Sequence, residues 1–106
     1  MPIMERNKKE ILVVTSGYFD PLHRGHLELF CRAKKLGTKL IVIVNNDGQT
    51  KLKKGFPFMS EKERLAIINS LKMVDRAVLS IDQDKTVRKT LGLLRPHIFA
   101  KGGDST

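Results

Sequence analysis

The chain has one cysteine, no tryptophan and one tyrosine. A lone Cys31 excludes an internal disulfide and a cysteine-built zinc site. Long hydrophobic runs are missing, and none approaches the roughly 20 residues that span a bilayer. Residues 1–10 are polar and charged, without the apolar stretch of a secretory signal. Internal repeats and low-complexity tracts are absent. These absences place the expected compartment in the cytoplasm. Acidic residues are the minority, 11 against 20 Lys plus Arg, for a formal net charge of +9. Such an excess points to anionic partners: nucleic acid, a membrane surface or phosphorylated small molecules. What is present is a globular composition, 41% hydrophobic and 29% charged over 106 residues. That is the size of one domain, which buries about 60–70% of its unfolded surface.

Four short apolar runs stand out, at residues 11–14, 40–44, 77–79 and 98–100. They are continuous rather than alternating, which fits strands buried on both faces of a parallel sheet. Helical spacing lies between them. Leu27, Phe30 and Cys31 open one stripe, and Gly37 is positioned to stop it after Leu36. Leu65, Ile68 and Leu71 form a second, preceded by Ser60 and Glu63 at capping-box spacing. Val87, Leu91 and Leu94 form a third, with Asp84 or Thr86 as its cap and Pro96 as its stop. The order is strand, helix, strand, loop, helix, strand, helix, strand. It predicts βαβ units with right-handed crossovers, an α/β architecture with a parallel sheet covered on both faces. Residues 1–10 read as a solvated arm, and the domain begins at residue 11. Residues 45–59 form an unusually long connection, carrying Lys51, Lys53, Lys54 and Gly55.

In open parallel sheets, ligands bind beyond the carboxyl ends of the strands, where strand order reverses. Three polar segments follow strand ends here: residues 16–26, Asn45-Asn46-Asp47, and Lys101-Gly102-Gly103-Asp104. With the first and fourth strands adjacent, the first and last segments face one crevice. Gly17 permits a close backbone approach to a ligand. His23 and His26, three apart at a helix start, share one face, and Gly25 leaves room between them. A helix N-terminus attracts phosphate, and two imidazoles there add donors. Metal binding is a weaker alternative, because two histidines without a third ligand leave a site incomplete. His97, alone after Pro96, reads as structural.

The segment Gly17-Tyr18-Phe19-Asp20-Pro21-Leu22-His23-Arg24-Gly25-His26 resembles the signature of the cytidylyltransferase-like nucleotidyltransferases, which ends in His-x-Gly-His. Further resemblances follow in register: Ala33-Lys34-Lys35-Leu36-Gly37, Val44-Asn45-Asn46-Asp47, residues 59–64 ending in Arg64, and Val74-Asp75. Lys101-Gly102-Gly103-Asp104 resembles the heptose-phosphate branch, with glycerol-3-phosphate cytidylyltransferase as a second relative. The family's fold is a Rossmann-like three-layer αβα sandwich. The resemblance implies attack of a phosphomonoester oxygen on the α-phosphate of CTP or ATP, with pyrophosphate leaving. It assigns phosphate binding and charge stabilisation to His23 and His26, and backbone amides to Tyr18 and Phe19, within a nucleotide loop that includes Gly17, Asp20 and Gly25. Lys51 and Lys54 would hold the acceptor phosphate or pyrophosphate, and Arg64 would contact phosphate. Lys101, Gly102, Gly103 and Asp104 would meet the nucleoside, and Asp47 would orient sugar or magnesium. Mg2+ would travel with the triphosphate, with no protein metal site. The expected partners are these small molecules and a second copy in a homodimer, without nucleic acid or membrane. Family members continue past Gly-Gly-Asp into another helix, which the domain at 11–106 is expected to lack.

Two other classes compete. A basic nucleic-acid-binding module is favoured by the net charge, but Tyr18 and the five phenylalanines are not interleaved with a basic stripe. A non-catalytic nucleotide-binding domain is the second.

Overall fold

The four apolar runs become the strands of one parallel sheet in this computed structural model, which describes residues 9–101. Along the chain the elements are β1 (Leu12–Gly17), α1 (Arg24–Lys34), β2 (Lys39–Val44), α2 (Asp47–Lys54), α3 (Glu61–Asn69), β3 (Arg76–Leu79), α4 (Arg88–Leu94) and β4 (Ile98–Phe99). The spatial order is β3-β2-β1-β4, so the order reverses between β1 and β4, the adjacency on which the crevice depends. Val13 stands opposite both Leu40 and Ile98. The Ala100 amide continues the short β4 ladder by donating to the Val14 carbonyl at 2.8 Å. His97 secures the other end: its Nδ1 accepts from the Leu12 amide at 2.9 Å. It is structural, as its isolation in the sequence implied.

Because successive side chains of a strand point to opposite faces, each continuous apolar run serves two cores. On one face Val13, Leu40, Val42 and Val44 pack with Phe30 and Ala33 of α1 and Ile68 of α3. On the other, Val14, Ile41 and Ile43 pack with Val87, Leu91 and Leu94. The result is the expected Rossmann-like three-layer αβα sandwich. Asp75 ties two layers together, accepting from the Leu40 amide at 2.7 Å and the Lys34 ammonium at 2.6 Å.

Three local expectations change. The buried face of α1 is His26, Phe30 and Ala33, at i, i+4 and i+7, while Leu27 and Cys31 are exposed. The helix is turned so that His26 is buried in place of Leu27, while Leu29 packs at the edge of the core. The long connection over residues 45–59 contains α2, started by a reciprocal capping box. Asn46 Oδ1 accepts from the Gln49 amide at 2.8 Å, and Gln49 Oε1 accepts from the Asn46 amide at 3.0 Å. Gly55, at φ 94°, ends it in a conformation that favours glycine. Finally, neither Asp84 nor Thr86 caps α4. The Asp82 carboxylate accepts from the Lys89 and Thr90 amides at 2.8 and 3.1 Å, while Asp84 accepts from Thr86. The helix ends at Leu94, with Arg95 left-handed at φ 51° before Pro96.

At the start of α3, Ser60 accepts from the Glu63 amide at 3.2 Å, and Glu61 is directed to the Asp47 amide at 2.8 Å. Among the described residues no helix is long and apolar enough to cross a membrane. Most of the expected arm (residues 1–8), Gly102, Gly103, Asp104 and the expectation about a final helix lie outside the described residues.

Candidate functional site

A cleft of about 640 Å3 opens beyond the carboxyl ends of β1 and β4. Its floor is the turn from β1 into α1. Phe19 adopts φ 53° there, and its ring is buried edge-on to His26 and Phe30, with centroids 5.0 and 5.3 Å away. That ring explains Gly17: a Cβ at residue 17 would lie 2.7 Å from Phe19 Cζ. The Phe19 side chain therefore belongs to the core, and its backbone faces the turn.

His23 and His26 come together as their spacing predicted, with ring centroids 3.9 Å apart. His23 caps α1, its Nδ1 accepting from the Gly25 amide at 3.0 Å. His26 completes the box, its Nδ1 accepting from the His23 amide at 3.1 Å. An Nδ1 that accepts carries no proton, so in each neutral ring the proton sits on Nε2, on the far side from the helix backbone. The helix start thus uses one nitrogen of each imidazole, Nδ1, for its own capping. Gly25 is needed for this stacking, because a Cβ there would stand 2.9 Å from His23 Cε1. His26 is buried and lines the cleft; His23 is exposed beside it.

Several expected ligand-binding residues are engaged elsewhere. Asp20 is buried and accepts from the Phe58 and Met59 amides at 2.8 and 2.7 Å. Burial pushes its carboxyl up, but those amides and the Lys54 ammonium outweigh it and hold it below the ordinary carboxylate value. Lys54, expected to hold phosphate, instead reaches the Asp20 carbonyl and lies 3.3 Å from its carboxylate. Together they fasten the end of α2 to the β1–α1 turn.

Arg64, expected at a phosphate, has no exposed surface. Its Nη1 donates to the Tyr18 and Asn45 carbonyls, both at 2.7 Å, its Nε to the Met59 carbonyl at 3.0 Å, and its Nη2 to Asp47 Oδ1 at 2.7 Å. It is a brace under the ends of β1 and β2. Asp47 is its counter-ion, not a group facing the cleft. Lys51 is exposed on α2, outside the cleft lining.

The cleft's cations are different ones. Arg32 of α1, Lys53 of α2, Lys85, Arg88 and Lys101 line it, with no carboxylate among the described lining residues. Of these, only Lys101 was singled out in the sequence as a binding residue. Lys53 rests over the Tyr18 ring, 4.4 Å from its centroid. Burial raises the Tyr18 hydroxyl above its ordinary value. Among the described residues no cluster of three or more His, Cys, Asp or Glu could hold a metal ion.

A bifunctional protein HldE of Citrobacter koseri is 42% identical over 101 residues, covering 93% of this chain. One from Escherichia coli O157:H7 is 39% identical over 104 residues, covering 96%. The chain spans 21% of the length of each of these relatives. Among solved structures, the lipopolysaccharide core biosynthesis protein from Thermoplasma volcanium superposes with a TM-score of 0.79. That match is 37% identical and covers 86% of this chain and 73% of the other. The cytidylyltransferase-like family model matches residues 14–106, from the middle of β1 onward. With its reversal-point cleft and paired imidazoles on the first helix, the chain belongs to the cytidylyltransferase-like family.

Proposed function

We propose that the chain is a nucleotidyltransferase that moves a nucleotidyl group from CTP or ATP to a phosphomonoester such as a sugar or polyol phosphate. The observation that carries this reading is the imidazole pair, each ring hung by Nδ1 from the start of α1 so that Nε2 is its donor. An oxygen of the acceptor phosphate attacks the α-phosphorus. The new P–O bond forms as the α–β bridge breaks, and pyrophosphate leaves with the bonding electrons. No covalent bond to the protein is needed, so catalysis rests on positioning and on donors preorganised for the growing charge. His23 and His26 supply those donors, and the backbone of Gly17, Tyr18 and Phe19 takes the triphosphate.

Lys51 reaches the acceptor phosphate from α2, and Lys101 with Gly102, Gly103 and Asp104 meets the nucleoside. Magnesium, when bound, neutralises triphosphate charge. The described lining offers it no carboxylate, so triphosphate oxygens and water would be its ligands. A homodimer belongs to the same reading.

The test is pyrophosphate release with ATP and CTP, each against heptose 1-phosphate, glycerol 3-phosphate and an amino-alcohol phosphate. Turnover with one pair supports the proposal. Nucleotide binding without turnover for any pair overturns it in favour of a non-catalytic nucleotide-binding domain. Salt-sensitive oligonucleotide binding that nucleotide does not displace would favour the nucleic-acid reading.

A further inference from the structure

The wall of the cleft opposite α1 is the connection from β3 into α4, and it carries Lys85 and Arg88. A connection of this kind is ordinarily mobile, because its backbone lacks ladder partners. Here it is fastened by two side chains from α2. Gln49, 1% exposed, donates from Nε2 to the Asp84 carbonyl at 2.7 Å and to the Thr86 carbonyl at 2.9 Å. Those carbonyls flank Lys85. Asn46 donates from Nδ2 to the Ser80 and Asp82 carbonyls at 3.0 and 3.1 Å. The same two residues form the capping box of α2 with their other polar atoms. The wall's position is thus set by a buried amide on a neighbouring helix, and Gln49 does not itself line the cleft.

We infer that Gln49 is a positioning residue that holds the β3–α4 wall so that Lys85 and Arg88 form a binding subsite for a phosphoryl group. The inference deepens the nucleotidyl-transfer reading and rests on it for the identity of the ligand. Two cations three residues apart, one on each side of a clamped carbonyl, suit an anion bearing two or more charges. Both substrates proposed for the cleft qualify, the acceptor through its phosphate and the nucleotide through its pyrophosphate end. Because Gln49 acts through the wall, its loss should be felt as weaker anion binding, not as a change in the attacking groups at α1.

The chemistry of Gln49 provides a clean separation. In Gln49→Glu the side chain keeps the oxygen that accepts from the Asn46 amide, and Glu is a favoured residue at that place in a capping box. It loses both donors to the wall. Calorimetric titration of the whole chain with inorganic pyrophosphate, and separately with glycerol 3-phosphate, reads the subsite. Gln49→Glu, Lys85→Ala and Arg88→Ala are each expected to weaken binding of at least one of these anions about tenfold or more. Whichever anion responds is the subsite's source of phosphate.

The double variant Gln49→Glu/Arg88→Ala should lose less than the sum of the two single losses, because the contribution of Arg88 can be lost only once. Exposed Lys62→Ala should leave binding unchanged. Wild-type affinity in a folded Gln49→Glu, or additive losses in the double variant, would overturn the inference. Should Gln49→Glu not melt cooperatively, Gln49→Met makes the same removal without a buried charge, with the same expected loss.

Failure of the wider reading looks different. Anion binding that follows this pattern without turnover removes the transferase and leaves the subsite standing. Turnover in which Gln49→Glu changes neither KM nor kcat removes the subsite and leaves the transferase; the expected pattern is a raised KM at nearly constant kcat.

Discussion

The guanidinium of Arg64 donates to the carbonyl of Tyr18 at 2.7 Å, so a residue of α3 without exposed surface fixes the backbone at the floor of the cleft. The same side chain serves Asn45, Met59 and Asp47. Removing it strands three carbonyls and a carboxylate. Arg64→Ala is expected to destabilise the chain by about 2–4 kcal/mol, because it strands buried carbonyls and removes a fully packed side chain, while Asp47 keeps contact with solvent. Arg64→Lys should recover little, because one ammonium cannot reproduce the planar fork. Chemical denaturation of the three proteins checks this. If Arg64 met phosphate instead, the loss would fall on substrate binding with stability intact.

His26 has two separable tasks. Its Nδ1 accepts from the His23 amide, and its Nε2 is the proposed donor to substrate. In His26→Asn the amide oxygen replaces Nδ1, so the cap survives while the donor is lost. In His26→Gln an amide nitrogen reaches toward the Nε2 position. Transfer is expected to fall about 10²–10³-fold in the Asn variant. The Gln variant should retain more activity with little change in stability, because Gln is a favoured residue at that place in a capping box. Steady-state rates paired with thermal melts separate the two tasks.

Thr15 sits at 0% exposure on β1, and its hydroxyl has no hydrogen-bond partner among the described residues. Thr15→Val keeps the shape, deletes an unsatisfied polar group and suits a strand. It is expected to raise stability by about 1 kcal/mol. Gly37→Ala should act in the opposite direction. Its Cβ would stand 2.6 Å from the Ile11 carbonyl oxygen, and backbone yields less than a side chain. A loss of about 1–3 kcal/mol is expected, read from denaturation midpoints.

Acid should unfold the protein through three carboxylates. Burial pushes Asp20, Asp75 and Asp82 up, but their hydrogen bonds, with a lysine at Asp20 and Asp75, outweigh it and hold all three below the ordinary value. A carboxyl lowered in the folded state contributes stability above its unfolded value, near 3.9, and loses it as pH falls through the folded value. These three carboxylates should therefore contribute a decline in stability below about pH 4. Asp82→Asn should flatten that decline, because it removes one linked proton. Urea midpoints at pH 7, 5 and 3 provide the measurement.

The strands were legible in the sequence because burial on both faces leaves no polar alternation; the adjacency of β1 and β4 was a condition taken from fold rules, which the strand order β3-β2-β1-β4 meets. The imidazole pair was legible because residues three apart at a helix start can share one face. Other features depend on contacts distant along the chain. Asp82 caps a helix several residues downstream, so local cap spacing pointed to Asp84. Arg64 sits among charged helix residues, and nothing in its neighbours marks it as buried. Lys85 and Arg88 are ordinary surface cations until Gln49 brings their connection against the cleft. One missed signal was available: Asn46 and Gln49 have capping-box spacing, which marks the start of α2 within a stretch read as a loop.

The position of Tyr18 has an optical consequence. It is the chain's one tyrosine, there is no tryptophan, and its ring lies in the cleft beneath the Lys53 ammonium. Ultraviolet emission from the unlabelled protein therefore originates in the proposed site. An anion that draws Lys53 away, or a base that stacks on the ring, would alter that emission without any signal from elsewhere in the fold. The chain carries its own fluorescent indicator, placed where occupancy has to be read.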